Sequence, residues 1–249
     1  MKFKRFLKGL IFQLSFFSII PVPINANLEE IATYSYTAPL FVGSISAFLD
    51  FIIYYLSWIF IGNAARYLLI AIVELFRGFN HLDGLLDLGD ALMIKGNRED
   101  KIRALKDVNI GTGGLGFLIV YFSIFLAALT NLPEPNVTTL IILLVAEVES
   151  RNLGLLLLTI NPIPESNLGR IFHQYLSEKK LLLILESFLL ILTPYNIPSF
   201  ILLYYIFGKL GVKSIGGSSG DLAGFSITLS FPLFILLGEL KCIHLLLYL

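Results

Sequence analysis

The sequence predicts an all-α, polytopic integral membrane protein, and three observations support this fold class. Of the 249 residues, 56% are hydrophobic and 14% are charged, with a mean hydropathy of +0.82, which is too apolar for a soluble domain. Several apolar runs approach the roughly 20 residues that a helix needs to cross a bilayer. Loops rich in basic residues separate these runs. We therefore predict one transmembrane domain over residues 1–249, a helical bundle with a re-entrant or interfacial N-terminal helix and broken helices.

The N-terminal segment combines basic residues with an apolar run. The basic residues are Lys2, Lys4, Arg5 and Lys8. A signal peptide would show a similar start, but Pro21-Val22-Pro23 follows in place of a small-residue cleavage site. We predict that residues 10–24 form a re-entrant or interfacial helix that Pro21 and Pro23 turn back.

Apolar runs of spanning length follow this segment. Four qualify by length, namely 39–61, 114–132, 138–160 and 222–240. The run 64–76 is short and continues into a polar helix. The run 181–207 is long, but Pro194 and Pro198 interrupt it. Because proline removes a backbone donor and kinks a helix, this run predicts two short spans or a hairpin.

Basic residues predict the orientation, since they collect on the cytoplasmic side of short loops. Three loops carry them: Lys95, Arg98, Lys101, Arg103 and Lys106 in the first, Arg170, Lys179 and Lys180 in the second, and Lys209 and Lys213 in the third. Two crossings between successive loops put all three on the side of the N-terminal tail, provided that residues 10–24 do not cross. We predict a multi-pass protein of the cell membrane whose functional site faces the cytoplasm.

Charge and cysteine content exclude other classes. The 18 basic and 18 acidic residues give a net charge of zero, so the charge does not indicate nucleic-acid binding. The expected partner is the lipid bilayer. The single Cys242 excludes an internal disulfide framework and a cysteine metal cluster.

The strongest local signal is an acidic stripe formed by Asp83, Asp87 and Asp90, which follow His81. On a helix that advances about 100° per residue, these three side chains stay within about 60° of one another. Their mutual repulsion favours a bound cation, and hard oxygen ligands prefer Mg²⁺, Mn²⁺ or Ca²⁺. Carboxylates that share Mg²⁺ with substrate phosphates are typical of phosphoryl transfer.

Two features near the stripe leave alternatives open. The stripe could be a solvated helix face beyond the membrane, although neighbouring leucines argue against this. His81 would point about 160° away from Asp83. His81 could therefore be a hydrogen-bonded structural histidine, a ligand or an acid/base group.

A glycine-containing loop runs from Lys106 through Asp107 and Gly111 to Gly114, just before an apolar run. Glycine lets backbone N–H groups approach an anion, and the positive end of the following helix adds to the attraction. The loop predicts a phosphate cradle or, alternatively, a flexible entry to a helix.

A second glycine-rich loop, which includes Gly217 and Gly220, opens into the last apolar run at Asp221. Asp221 could supply a fourth carboxylate to a metal or accept a proton from an attacking hydroxyl. It could instead cap the helix.

Charged residues also lie inside the run 138–160, where Glu147, Glu149 and Arg151 would each cost roughly 2.5–3.5 kcal/mol in mid-membrane. Glu147 and Arg151 share a helix face, which allows an ion pair. The forked donors of Arg151 also suit a phosphate clamp, and this is the interpretation we favour.

On these residues the chain resembles the cobalamin synthase family, the adenosylcobinamide-GDP ribazoletransferases of corrinoid biosynthesis. The resemblance covers nearly the whole chain, and its specific part is the motif His-Leu-Asp-Gly-Leu-x-Asp-x-x-Asp-Gly. The chain matches this motif at His81, Asp83, Gly84, Leu85, Asp87 and Asp90.

The chain also departs from the family pattern. Ala91 replaces the final glycine of the motif, and Ser219 stands where threonine is usual. Arginines that the family often carries are absent at Ile19-Ile20 and at Val108-Asn109.

The resemblance implies a single catalytic domain that transfers the cobinamide phosphate of adenosylcobinamide-GDP to α-ribazole or its 5′-phosphate and releases GMP. It implies that Asp83, Asp87, Asp90 and Asp221 hold Mg²⁺ or act in catalysis. Substrate-binding residues would be His81, Lys106, Asp107, Gly111, Arg151, Gly217 and Gly220. A homo-oligomer is left open.

Two other classes compete with this interpretation. A membrane phosphotransferase of the CDP-alcohol type also binds metal through aspartates. Its usual pattern is Asp-Gly-x-x-Ala-Arg, and this chain lacks the Ala-Arg pair. A divalent-cation transporter would equally place acidic residues inside the membrane.

Overall fold

A computed structural model describes residues 2–22 and 26–240 and confirms the all-α prediction for them. The predicted turn residue Pro23 and the single Cys242 lie outside the described residues. The described part contains twelve α-helices: α1 (Lys2–Phe17), α2 (Leu28–Tyr34), α3 (Ala38–Ile61), α4 (Ala65–Arg77), α5 (Asn80–Met93), α6 (Arg98–Ala104), α7 (Thr112–Asn131), α8 (Val137–Leu157), α9 (Asn167–Leu176), α10 (Lys180–Glu186), α11 (Asn196–Ser214) and α12 (Gly220–Gly238).

The four long apolar runs all form helices whose ends lie within three residues of the predicted ends, in α3, α7, α8 and α12. Three helical segments of the described chain are long and apolar enough to cross a membrane, namely Leu28–Arg77, Thr112–Asn131 and Gly220–Gly238. The chain is therefore a helical membrane protein, as its composition predicts.

The predicted break in the run 181–207 is present at one of the two prolines. Helix α10 passes into a 3₁₀ segment, Ser187–Leu192, and the chain turns at Pro194 before α11 begins. Pro198, in contrast, does not interrupt the helix, because it is the third residue of α11. Backbone N–H groups of the first turn have no acceptor within the helix, so a proline there removes no hydrogen bond.

The centre of the bundle is formed by α8 and α12. Every residue from 145 to 158 and from 222 to 232 is buried. Helix α8 packs between α3 and α12, and α12 packs on α5 and α7. The two central helices are therefore surrounded by protein over these stretches.

A sharp corner joins α4 to the polar helix α5. Gly78 and Phe79 both adopt left-handed backbone conformations, with φ of 64° and 60°. The corner turns the chain so that α5 packs against the N-terminal turns of α12 and α7.

Small residues let α5 and α12 approach closely. A Cβ atom on Gly84 would lie 2.9 Å from the carbonyl oxygen of Asp221, and one on Gly224 would lie 3.0 Å from that of His81. Only glycine leaves room for this backbone contact, as in other tightly packed membrane helices. The contact fixes Asp83 relative to Asp221.

Candidate active site

A cavity of about 640 Å³ opens where α5, α8, α9 and α12 meet the end of α1. Its polar lining comes from four of these helices, α1, α5, α9 and α12, and from the segment before α9. The polar side chains are Ser15, Asn80, His81, Asp83, Glu165, Ser166, Asn167 and Asp221. A cavity of this size with few convergent polar groups is typical of a small-molecule site.

Asp83 and Asp221 both line this cavity although they are 138 positions apart in the sequence. Asp83 lies in the first turn of α5, and Asp221 is the second residue of α12. The capping role that was the alternative for Asp221 belongs to Ser219, whose side chain accepts the N–H of Leu222 at 3.1 Å. The structure thus places the Asp221 carboxylate beside the cavity and not at the helix cap.

Three helix N-termini border the same cavity, at Asn80 of α5, Asn167 of α9 and Gly220 of α12. The Ser166 hydroxyl accepts the N–H of Gly169 at 3.0 Å and that of Gly220 at 3.4 Å, which ties α9 to α12. Helix N-termini carry partial positive charge and unpaired N–H groups. This arrangement favours a negatively charged ligand.

Asp87 lies one helical turn beyond Asp83 and is half-buried. Burial raises its pKa to about 7, with the neighbouring carboxylates of Asp83, Asp221 and Asp90 as further causes. The three neighbours show that Asp87 is close to the whole acidic group. Without a cation, Asp87 is therefore partly protonated near neutral pH.

Asp90 has a different partner from the predicted metal. Its carboxylate oxygens accept the backbone N–H groups of Gly111 at 2.7 Å and Gly114 at 2.9 Å. The glycine loop does cradle an anion, as its composition predicts, but that anion is the Asp90 side chain. Asp90 therefore joins α5 to the N-terminus of α7.

The three aspartates of the stripe consequently do not form one compact metal site. In residues 2–22 and 26–240, no group of three or more His, Cys, Asp or Glu side chains is close enough to hold a metal ion. The physical reason is the helical rise of about 1.5 Å per residue, which separates positions 83 and 90 by roughly 10 Å. A shared helix face aligns side chains without bringing them to a single point.

The remaining predicted residues of the first loop lie at a second, smaller cavity or in solvent. Asp90, Asp107 and Gly111 line a cavity of about 290 Å³. The exposed Asp107 carboxylate accepts the backbone N–H of Asn109 at 3.0 Å and its side-chain amide at 2.8 Å, and these bonds lower the Asp107 pKa. Lys106 is exposed.

Arg151 does not line the cavity, so its position gives no support to the phosphate clamp that we favoured, which stays a prediction. Its side chain is fully buried in α8, where it pairs with Glu147 and donates to the Ser46 hydroxyl at 3.0 Å. Arg77 binds the other oxygen of Glu147 at 2.8 Å. A buried charge is stable only when it is paired. The alternative prediction, an ion pair between Glu147 and Arg151, is confirmed.

The two predicted glycines of the second loop have different roles. Gly220 lines the large cavity. Gly217 is buried, and a Cβ atom there would lie 2.4 Å from the carbonyl oxygen of Asn161. Gly217 therefore allows its loop to pack against the segment after α8 and does not contact the cavity.

His81 lines the cavity together with Asp83, because the cavity wraps around the first turn of α5. The imidazole ring is buried beside the Phe17 ring, with 5.8 Å between their centroids. Its Nε2 atom has no hydrogen-bond partner among the described residues. Burial lowers the His81 pKa well below its usual value, with Arg77 and Arg151 as further causes, so the ring is neutral.

Comparison with known proteins identifies the family of the chain. The sequence model of the cobalamin-5-phosphate synthase family matches residues 9–238. The chain belongs to this family.

Relatives named adenosylcobinamide-GDP ribazoletransferase extend over nearly the whole chain. One from Saccharolobus islandicus (strain L.S.2.15 / Lassen #1) is 53% identical over 235 residues, which cover 94% of this chain and 92% of the relative. One from Sulfolobus acidocaldarius is 43% identical over 245 residues, covering 96% and 95%. One from Clostridium botulinum (strain Alaska E43 / Type E3) is 31% identical over 236 residues, covering 90% and 94%. No solved structure matches the chain.

For this cobalamin-5-phosphate synthase family member, the structure adds cavity residues that sequence reasoning missed. The polar ones are Ser15, Asn80, Glu165, Ser166 and Asn167. The sequence could have predicted Ser166, because serine is a preferred N-cap residue and Ser166 caps α9 by accepting the N–H of Gly169. Glu165 gave no signal, because its position depends on the packing of distant helices.

Proposed function

We propose that this chain transfers the cobinamide phosphate of adenosylcobinamide-GDP to α-ribazole or to its 5′-phosphate. A ring hydroxyl of the α-ribazole ribose, which is free in both acceptors, attacks the corrinoid-linked phosphorus through its oxygen, and a new P–O bond forms. The P–O bond to GMP breaks, GMP leaves with the bonding electron pair, and the hydroxyl proton is released. Adenosylcobalamin or its phosphate is the product.

The observation that carries this proposal is the pairing of Asp83 and Asp221 at one cavity bordered by three helix N-termini. The N-termini favour the phosphate groups of the substrate, and the carboxylates would hold a cation that supplies compensating positive charge. Phosphoryl transfer depends on such positioning and electrostatic stabilisation more than on covalent chemistry by the protein.

Mg²⁺ is part of the proposal, and the donor set of the cavity fits it. Mg²⁺ is usually held by one or two carboxylates together with substrate phosphates and waters, so it does not need a cage of protein ligands. Asp83 and Asp221 would hold it, and the charges of both act on Asp87. When bound, it supplies positive charge that neutralises the charge developing on the leaving group.

The size of the cavity limits which part of the substrates it encloses. About 640 Å³ accommodates a drug-sized ligand, whereas the nucleotide-activated corrinoid is much larger. We infer that the diphosphate and its neighbouring groups enter the cavity and that the corrin ring stays outside it.

We also propose that the cavity faces the cytoplasm and that the chain is a multi-pass protein of the cell membrane. Support comes from the contact of Arg98 with Glu165 and with the carbonyl of Ile215, which brings three loops to one end of the bundle. Arg98, Arg170 and Lys213, in the three loops that the sequence predicts to be cytoplasmic, lie in or next to these segments.

A turnover assay tests the proposed function. Purified protein in detergent is incubated with adenosylcobinamide-GDP, α-ribazole and Mg²⁺, and GMP and adenosylcobalamin are quantified by mass spectrometry. We expect equal amounts of both products, no GMP release without α-ribazole, and loss of turnover when EDTA removes Mg²⁺. Absence of product under all conditions, together with divalent-cation flux in proteoliposomes, would support the transporter instead.

A further inference from the structure

The large cavity combines an acidic lining with a lack of basic side chains. Asp83, Glu165 and Asp221 line it, and its described lining contains no lysine or arginine. A diphosphate would add more negative charge beside these carboxylates, and like charges at short range repel strongly where water is scarce. A basic side chain at the edge of the cavity would offset this repulsion.

Arg98 is attached directly to the cavity lining. Its Nη1 and Nη2 atoms donate to the two carboxylate oxygens of Glu165 at 3.1 and 2.8 Å. The side chains remain partly accessible, with 37% of Arg98 and 29% of Glu165 exposed. The guanidinium group is thus both next to the cavity and reachable from solvent.

The surrounding backbone holds Arg98 in this position. Asn97 caps α6 in a reciprocal capping box with Asp100, which fixes the helix at its first residue, Arg98. The Nε atom of Arg98 donates to the carbonyl of Ile215 at 2.8 Å. A Cβ atom on Gly216, where φ is +94°, would lie only 2.7 Å from this Nε atom. Glycine at 216 therefore makes room for the arginine.

We propose that Arg98 binds a phosphate group of the nucleotide-activated substrate at the mouth of the cavity, exchanging the Glu165 carboxylate for phosphate oxygens. This inference rests on the proposed function and names a binding residue for it. The planar fork of arginine matches phosphate as well as carboxylate, so the same donors serve both partners. Glu165 holds the fork in place until substrate arrives.

The exchange predicts opposite effects for the two partners of the pair. Arg98→Gln removes the phosphate-binding fork and weakens substrate binding. Glu165→Gln removes the competing negative charge, keeps Arg98, and strengthens substrate binding. If the pair were only a structural link between loops, the two substitutions would impair the enzyme in the same direction.

Steady-state kinetics of the full-length protein in detergent tests this inference. We measure kcat and KM for adenosylcobinamide-GDP in the wild type, Arg98→Gln, Arg98→Lys, Glu165→Gln and the double variant Arg98→Gln/Glu165→Gln. Arg103→Gln is the matched control, because Arg103 carries the same charge on the same helix but is exposed and pairs with Asp100. The KM for α-ribazole is measured in parallel.

We expect Arg98→Gln to raise the KM for adenosylcobinamide-GDP about tenfold or more, as loss of a charge-assisted pair implies. Arg98→Lys should fall between this variant and the wild type, and Arg103→Gln should match the wild type. Glu165→Gln should lower the same KM, and this gain should disappear when Arg98 is also replaced. The KM for α-ribazole should stay unchanged throughout.

Two results would overturn the inference while leaving the proposed function intact. One is an unchanged KM in Arg98→Gln, and the other is a raised KM in Glu165→Gln. The test with Glu165→Gln still decides the inference if Arg98→Gln does not fold, because Glu165→Gln retains Arg98. Absence of turnover in the wild type would instead contradict the proposed function itself.

Discussion

Asp83 and Asp87 carry the same functional group one helical turn apart, yet their surroundings differ. Asp83 is exposed to the large cavity, whereas Asp87 is half-buried among other carboxylates. Asp90, at the far end of the stripe, is held by backbone N–H groups. Each aspartate therefore has its own expected response to substitution.

Asp83→Asn should lower turnover by about 10²-fold or more, because it removes a charge that would hold a cation against the substrate phosphates. The folded protein should be retained, since Asp83 faces the cavity and not the core. GMP release and size-exclusion chromatography in detergent check both points. Glu99→Gln, an exposed acidic residue of α6, is the matched control. Turnover like that of the wild type in Asp83→Asn would remove this residue from the mechanism.

Asp87→Asn should stabilise the metal-free protein at pH 8 but not at pH 4. The folded-state pKa is raised to about 7. An unfolded aspartate titrates near pH 4. Between these values the folded state binds more protons than the unfolded state, so wild-type stability falls as pH rises from about 4 to 7. Thermal unfolding in detergent, with EDTA, measures the difference. An equal pH dependence in the two proteins would contradict the environment described for Asp87.

Arg151→Met should lower the free energy of unfolding by about 3–5 kcal/mol, because it leaves part of a buried ion cluster unpaired. Protein that still folds should keep the wild-type KM for adenosylcobinamide-GDP, since the Arg151 side chain does not line the cavity. Thermal unfolding and steady-state kinetics measure the two quantities. Wild-type stability with a raised KM would instead identify Arg151 as the phosphate clamp.

At the scale of elements, the close contact of α5 with α12 decides where the two cavity aspartates lie. Gly84→Ala should destabilise the protein by about 1–3 kcal/mol, because the added Cβ would lie 2.9 Å from the Asp221 carbonyl oxygen. We expect kcat to fall as well, since the helix carrying Asp221 must move. Gly116→Ala on α7 is the control, because no atom lies within 4 Å of a Cβ there. Equal activity in the two variants would show that this contact does not position the site.

The helices themselves were largely predictable from the sequence. Apolar runs predicted α3, α7, α8 and α12, because a helix that is buried or lipid-facing all round is mostly apolar along its length. The break at Pro194 was predicted correctly, but Pro198 was not, because the effect of proline depends on its place in the helix. Composition alone does not give that place.

At the scale of the whole molecule, the site joins segments that are far apart in the chain. Asp83, Glu165 and Asp221 line one cavity because α5, the segment before α9, and α12 meet at the same end of the bundle. The sequence predicted Asp83 and Asp221 as candidates from their motifs. It did not predict Glu165, or that Asp90 binds Gly111, because both depend on tertiary packing.

The orientation in the membrane, the number of crossings and the extent of the domain over residues 1–249 remain predictions at this scale. They rest on the basic loops and on the apolar helices.

An experimental structure of the protein with Mg²⁺ and GMP tests the central claim most directly, which is that the cavity between Asp83 and Asp221 is the phosphoryl-transfer site. The account predicts the GMP phosphate inside the large cavity, with the cation between it and these two carboxylates. Phosphate bound instead at the smaller cavity beside Asp90 and Gly111, with Asp83 and Asp221 facing only water, would contradict the account.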